Sequence, residues 1–178
     1  MTVADSSEPI DAYTQGSVAF DAFYVTEYPS VVRLVVALCG RRDLAEELAQ
    51  DAFLAAHQRW GTVGAYDQPG AWVRRVAMNR ALSSLRRRAI EARLLLRLGH
   101  ERERTLELPA REAELLAAVR ALPHRQSQVL ALTFLEDRSV ADVARILECD
   151  ENTVRTHLRR GRTALSGRLR DEVVTDDV

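Results

Sequence analysis

The chain has 178 residues, of which 47% are hydrophobic and 29% charged, and its net charge is −1. This balance is typical of one medium-sized soluble domain or two small ones. Its two cysteines, Cys39 and Cys149, are too few for a disulfide scaffold. The longest uncharged apolar stretch, residues 34–40, is too short to span a bilayer, and the acidic N-terminus lacks the blocks of a signal peptide. We therefore expect a cytoplasmic protein without membrane insertion, metal or cofactor.

The small net charge hides a strong asymmetry along the chain. Residues 1–30 contain five acidic residues and no arginine, whereas residues 61–110 contain ten arginines and five acidic residues. Residues 151–178 contain six arginines and five acidic residues. Two basic segments that are well separated in sequence indicate two places where a polyanion could bind.

The first half of the chain is predicted to be helical, because glycine and proline are scarce and no stretch alternates with period two. A first amphipathic helix covers residues 20–38, with Pro29 as a point of bending, and Gly40 ends it. Asp43 is predicted to cap a second helix to about residue 60. A glycine-rich loop over residues 61–70 follows, and Pro69 opens a third helix to about residue 88.

The second half predicts a helix-turn-helix. Ser139 and Asp142 resemble a capping box before a helix over residues 140–147, and a turn at 148–150 leads to a last helix through about residue 169. The sequence is compatible both with a third helix that extends through residues 89–110 and with a linker over these residues. The predicted fold is all-α, with two small helical domains joined by a charged linker, the C-terminal one a helix-turn-helix. Its segments are an acidic flexible N-terminus (1–17), a first domain (18–90), the linker (91–110), a second domain (111–170) and an acidic tail (171–178).

The last helix has an apolar face at Val154, Leu158 and Leu165, and a polar, arginine-rich face opposite. Such a face suits the major groove of DNA, because arginine pairs with guanine edges and hydroxyl groups reach bases or phosphates. A solvated basic face is the alternative interpretation. The residues predicted to meet DNA are Asn152, Thr153, Arg155, Thr156, Arg159, Arg160 and Arg162.

The second helix has an acidic face with a leucine at its centre. An apolar anchor within a polar rim is typical of a protein contact, although taken alone a solvated face with one incidental leucine is the commoner case. The residues of this face are Asp43, Glu47, Gln50, Asp51 and Leu54.

The third helix has a narrow polar stripe and ends in consecutive arginines, and two aromatic residues flank the loop before it. Aromatic rings beside arginines suit unpaired bases, which stack on them. Trp60 can equally belong to the core. The candidate residues are Trp60, Tyr66, Arg74, Arg75, Asn79, Arg86, Arg87 and Arg88.

Three stretches in this order, residues 43–53, 69–88 and 152–162, resemble the extracytoplasmic-function (ECF, group IV) sigma factors, the small two-domain class of bacterial RNA polymerase sigma factors. The resemblance implies that the acidic face grips the clamp helices of the polymerase β′ subunit. It implies that the loop and third helix capture and open the −10 promoter element, and that the last helix reads the −35 element. The linker would thread the polymerase cleft, and the second domain would rest on the β flap.

The expected function is therefore that of an alternative sigma factor, which binds core RNA polymerase and promoter DNA, melts the DNA and starts transcription. The sequence leaves open whether an anti-sigma factor is a further partner. It departs from the family at Glu148 and Asn152, where glycines are common, and at Gly161, where alanine is usual and glycine costs about 1 kcal/mol of helix propensity.

Three other functions compete with this interpretation. A stand-alone helix-turn-helix regulator would explain the last helix but leave the acidic face without a role. An enzyme is not expected, because the sequence has no nucleophile motif or phosphate-binding glycine loop, and its histidines lack metal-ligand spacing. A helical adaptor that binds no nucleic acid would not need arginines opposite a helix-turn-helix core.

Overall fold

A computed structural model describes the backbone of residues 8–95 and 110–175, and the side chains of residues 19–87 and 111–168. Every regular element in these ranges is an α-helix, so the predicted all-α class is confirmed. The helices are α1 (Glu8–Cys39), α2 (Arg42–His57), α3 (Trp60–Val63), α4 (Pro69–Leu95), α5 (Ala110–Arg120), α6 (His124–Leu135), α7 (Val140–Leu147) and α8 (Glu151–Thr175). We call α1–α4 the N-terminal domain and α5–α8 the C-terminal domain.

Helix α1 begins at Glu8 and continues through Pro29, so it starts earlier than the predicted residue 20 and includes part of the segment assigned to the acidic N-terminus. Pro9 lies in the first turn, where the amide it lacks would have had no partner within the helix. Residues 1–7 lie outside the described chain. The helix ends as predicted: Gly40 has φ +75° and its amide donates to the Val36 carbonyl at 2.8 Å.

Residues Ala19–Cys39 of α1 are long and apolar enough to cross a membrane by length and composition alone. Val31, Leu34 and Val35 of this segment are fully buried against other helices of the protein. Burial against other helices thus explains part of the apolar character of α1.

The start of α2 differs from the prediction. Arg41, not Asp43, takes the N-cap position, and no side chain caps the helix there. The carboxylate of Asp43 instead accepts hydrogen bonds from the Arg41 guanidinium, with Nε and Oδ1 3.2 Å apart. Arg41 lies only two residues from Asp43 and binds its carboxylate. The Asp43 side chain therefore does not cap the backbone of α2.

The loop predicted over residues 61–70 includes the short helix α3, and α4 opens at Pro69 as predicted. Helix α4 continues to Leu95, so the first part of the undecided stretch is helical. Residues 96–109 of the predicted linker lie outside the described chain.

The helix-turn-helix is formed by α7 and α8. The Ser139 hydroxyl accepts from the Asp142 amide at 3.1 Å, which is the N-cap bond of the predicted capping box, and it donates to the Asp142 carboxylate at 2.6 Å. The turn at residues 148–150 then leads into α8, whose backbone is helical to Thr175, several residues into the segment predicted as an acidic tail.

Two hydrophobic cores hold the helices together. The first lies within the N-terminal domain and is built around Val31, Val35, Leu48, Phe53 and Val73. The second joins the C-terminal domain to the N-terminal one, because Leu34, Leu38 and Met78 are buried with residues of α6, α7 and α8. Its C-terminal members include Val129, Leu132, Val143, Ile146, Leu147 and Val154. The two domains therefore share a core, which the sequence does not reveal.

Candidate nucleic-acid interface

Helix α8 packs closely on α6 at Gly161. Val154 is fully buried and Leu158 half-buried on the face predicted to be apolar. A Cβ added at Gly161 would lie 3.0 Å from Cδ1 of Leu130, so the missing side chain allows α8 to approach α6. Gly161 therefore lowers the helix propensity of α8 but allows the helix to pack closely on α6.

The opposite face of α8 is open to solvent. Arg155 donates to Glu151 at 2.6 Å and to Asn152 at 3.3 Å, and these contacts lie within the first turn of the helix. Of the residues predicted to meet DNA, Thr156 is half-buried and the others are exposed: Asn152, Thr153, Arg155, Arg159, Arg160 and Arg162. A basic, hydroxyl-bearing surface on the second helix of a helix-turn-helix is the form that major-groove readers take.

The acidic face of α2 is also open. Leu44, Leu48 and Ala52 are buried beneath it, while Leu54 is 55% exposed. Asp43, Glu47 and Gln50 are exposed, and Asp51 is half-buried. The hydrogen bond from Arg41 lowers the pKa of Asp43 to about 2, so this carboxylate remains charged at any physiological pH.

An arginine that no sequence motif marks connects this face to α4. Arg80 donates to Asp51 at 2.9 Å, and both side chains are about half exposed. They border a groove of about 420 Å³ between α2 and α4, which Glu47, Asn79 and Arg87 also line. The acidic face and the polar stripe of α4 thus meet at one groove.

The two aromatic residues around α3 differ in exposure. The ring of Trp60 is half-buried, with its centroid 5.2 Å from that of Phe20 and 5.0 Å from that of Phe23. Tyr66 is 45% exposed. Trp60 therefore also serves the core, and Tyr66 is the more accessible of the two rings.

The polar stripe of α4 is divided into an open half and a covered half. Asn79, Arg86 and Arg87 are exposed, and the side chain of Arg88 lies outside the described residues. Arg74 is only 2% exposed, and Arg75 is half-buried. The covered half lies against the C-terminal domain.

Arg74 is surrounded by acceptors from both domains. Its guanidinium donates to Glu27 at 2.7 Å, to Ser30 at 2.7 Å and to the Gly70 carbonyl at 3.1 Å within the N-terminal domain. It also donates to Glu136 of the C-terminal domain at 2.5 Å. Burial acts to lower the pKa of Arg74, but the hydrogen bond and charge of Glu136, supported by Glu27, hold it above its ordinary value.

Arg75 forms an ion pair with Glu148, in the turn of the helix-turn-helix. Neither carboxylate partner, Glu136 nor Glu148, was expected from the sequence to be functional. The backbone of Glu148 is unusual. Its φ of +49° lies in the left-handed region, which favours glycine over glutamate.

Two protein-family models match this chain, one in each domain. Residues 23–90 match the family Sigma-70 region 2, and residues 112–165 match Sigma-70, region 4. The RNA polymerase sigma-E factor of Streptomyces antibioticus is 30% identical over 166 residues, which cover 92% of this chain and 90% of the relative. The ECF RNA polymerase sigma factor SigM of Mycobacterium tuberculosis (strain Erdman) is 28% identical over 163 residues, 90% of this chain and 83% of the relative.

Among solved structures, the fold resembles that of the sigma factor RpoE in its complex with the anti-sigma factor NepR from Bartonella quintana. The TM-score is 0.65 at 21% identity, and the match covers 85% of this chain and 96% of that one. Both families match in the order expected of a two-domain factor, with the helix-turn-helix in the second. The chain belongs to the extracytoplasmic-function sigma factors of RNA polymerase.

Proposed function

We propose that this sigma factor binds core RNA polymerase through the exposed face of α2 and meets promoter DNA at two other surfaces. The α3–α4 segment would act at the −10 element, where the strands separate, and α8 would read the −35 element. Core RNA polymerase would catalyse RNA synthesis, and the sigma factor, acting in the cytoplasm, would position the polymerase on the promoter. The observation that carries the proposal is the 55% exposed Leu54 amid carboxylates, on the same chain as an exposed basic recognition helix.

The α2 face has the composition of a protein contact. Leu54 offers an apolar side chain that a partner can bury, while Glu47 and Gln50 provide a polar rim. A partner that fits this face carries arginines or lysines around an apolar pocket, as charge complementarity requires. Removing one buried member of such a cluster commonly costs about 1–3 kcal/mol of binding.

The two DNA surfaces suit different forms of DNA. The exposed face of α8 is basic and rich in hydrogen-bond donors, which fits a duplex groove. The α3–α4 surface combines the exposed ring of Tyr66 with Asn79 and arginines, which fits bases that have left the stack.

The test of the polymerase contact is co-migration with core RNA polymerase on a sizing column. The variant Glu47→Arg combined with Leu54→Glu should lose co-migration while its circular dichroism remains that of a folded helical protein. A matched control is Asp21→Arg combined with Val25→Glu, which makes the same chemical changes on an exposed part of α1. The control should co-migrate with polymerase like the unaltered chain.

Co-migration of the Glu47 and Leu54 variant would show that the polymerase contact lies elsewhere. Loss of co-migration in both variants would mean that the effect comes from changing the charge of the domain and not from this face.

A further inference from the structure

Two of the four carboxylates on α2 have arginine partners close by in sequence. The Asp43 carboxylate is bound by Arg41, the N-cap residue of the helix. Glu46 accepts from Arg42 at 2.8 Å, one helical turn away. Such pairs on an exposed helix surface contribute little to stability, but each one offsets the charge of its carboxylate.

The partner of a third carboxylate comes from a different helix. Asp51 accepts from the guanidinium of Arg80 in α4 at 2.9 Å, and the two residues are 29 positions apart in sequence. Their side chains are 48% and 41% exposed, at the rim of the groove between α2 and α4. Arg80 directly follows Asn79, a residue predicted to act at the −10 element, yet its guanidinium binds the acidic face of α2.

The fourth carboxylate, that of Glu47, has no such partner. It is exposed and lines the same groove as Asp51, and no cationic side chain binds it in the part of the chain that the structure describes. Because Glu47 and Asp51 are four residues apart, their side chains are neighbours on one face of the helix. The two carboxylates therefore differ in that Asp51 already has a cation beside it.

This difference affects any partner that brings cations to the face. An arginine or lysine that approaches Glu47 meets a charge with no partner within the protein. One that approaches Asp51 must first displace Arg80, and it leaves that guanidinium without its acceptor. The contact with a cationic partner is therefore stronger at Glu47 than at Asp51, although both are acidic residues of the same motif.

We infer that Arg80 is a positioning residue for polymerase binding, which holds Asp51 within the protein and leaves Glu47 to receive a cationic side chain of core RNA polymerase. Arg80 acts through Asp51 and not by a contact of its own with polymerase. The inference rests on the proposed function, because it takes the acidic face of α2 to be the polymerase contact.

The test measures the affinity of the fluorescently labelled full chain for core RNA polymerase by fluorescence anisotropy. Glu47→Gln should weaken binding about tenfold, because it removes the charge that meets the partner. Asp51→Asn should weaken binding less than about threefold while Arg80 is present. In the Arg80→Gln background the Asp51 carboxylate is released, so Asp51→Asn should then weaken binding about tenfold.

The matched control background is Arg42→Gln, which makes the same change of net charge and also removes the arginine of an exposed pair on α2. Arg42 and Glu46 line a different cavity, on the side of α2 that faces α1 and the C-terminal domain. In this background Asp51→Asn should still cost less than about threefold. Arg80→Lys keeps a positive charge beside Asp51 and should likewise leave the cost of Asp51→Asn small.

Circular dichroism of the Arg80→Gln variant should match that of the unaltered chain, because the pair that it breaks is half exposed. An equal cost of Asp51→Asn in the unaltered and Arg80→Gln backgrounds would overturn the inference, whatever the size of that cost. If in addition the Arg80→Gln holoenzyme bound a −10 single strand more weakly, Arg80 would belong to the DNA surface.

The affinity of the Glu47→Gln variant separates this inference from the proposed function. Unchanged affinity in that variant would overturn both, because the polymerase contact would then not involve this carboxylate. Weakened binding by Glu47→Gln, with an equal and constant effect of Asp51→Asn, would overturn the role of Arg80 alone and leave the proposed polymerase face in place.

Discussion

The hydroxyl of Ser139 begins the helix-turn-helix by bonding to Asp142 in two ways. It accepts from the Asp142 amide and donates to the Asp142 carboxylate, and Arg145 donates to the same carboxylate at 3.0 Å. The hydrogen bond from Ser139, followed by the charge of Arg145, lowers the pKa of Asp142 below its ordinary value of 3.8. The Ser139 side chain therefore caps the start of α7 and is the largest cause of the lowered pKa of Asp142.

We expect Ser139→Ala to lower the free energy of unfolding by about 1 kcal/mol, the usual cost of losing an N-cap. Because the folded pKa of Asp142 is depressed, its carboxylate stabilises the protein above pH 3.8, and this contribution is lost as pH falls through the folded pKa. The variant should therefore lose less stability on acidification than the unaltered chain does. Urea unfolding at neutral pH and below pH 3.8 measures both effects.

Ser166→Ala, on an exposed position of α8, provides the control and should change neither quantity. An equal stability of the Ser139 variant and the control would contradict the role given to the cap.

Local sequence signals predict a helix boundary well when one residue alone can satisfy the backbone. Ser139 meets this condition, and α7 begins and ends where the sequence predicts. Asp43 does not, because Arg41 binds its carboxylate and takes the N-cap position two residues earlier. The inward and outward faces of α2 and α8 follow from helical periodicity, which is why the exposed residues of both could be identified from the sequence.

The division of labour between α8 and the α3–α4 segment gives a prediction for promoter templates. Arg159→Ala and Arg160→Ala should each weaken initiation on paired and pre-melted templates alike, since loss of a base-reading arginine costs about 1–3 kcal/mol of duplex binding. Tyr66→Ala and Asn79→Ala should be most harmful on fully paired templates, because a pre-melted bubble supplies the unpairing that they would assist. In vitro transcription on both templates measures the difference.

Arg111→Ala removes an exposed arginine from α5 and should leave transcription unchanged on both templates. Equal rescue of all four variants by the bubble would contradict the assignment of the two surfaces to different DNA forms.

The relative position of the two domains depends on contacts that no local pattern can predict. Arg74 and Glu136 are 62 residues apart in sequence, and an arginine stripe looks the same whether it faces DNA or another domain. Leu34, Leu38 and Met78 share helices with residues of the first core, so their apolar character predicts burial but not the partner. The helices and their exposed faces can therefore be predicted from the sequence. The packing of the C-terminal domain on α1 and α4 is known only from the three-dimensional structure.

The most direct test of the function is transcription by core RNA polymerase from genomic DNA of the source organism, with and without this chain, followed by sequencing of the RNA 5′ ends. We expect start sites that arise only when the chain is present and that share two upstream elements at a constant spacing. The same start sites in both reactions, together with tight binding of the chain alone to duplex DNA, would contradict a sigma factor and indicate a stand-alone regulator.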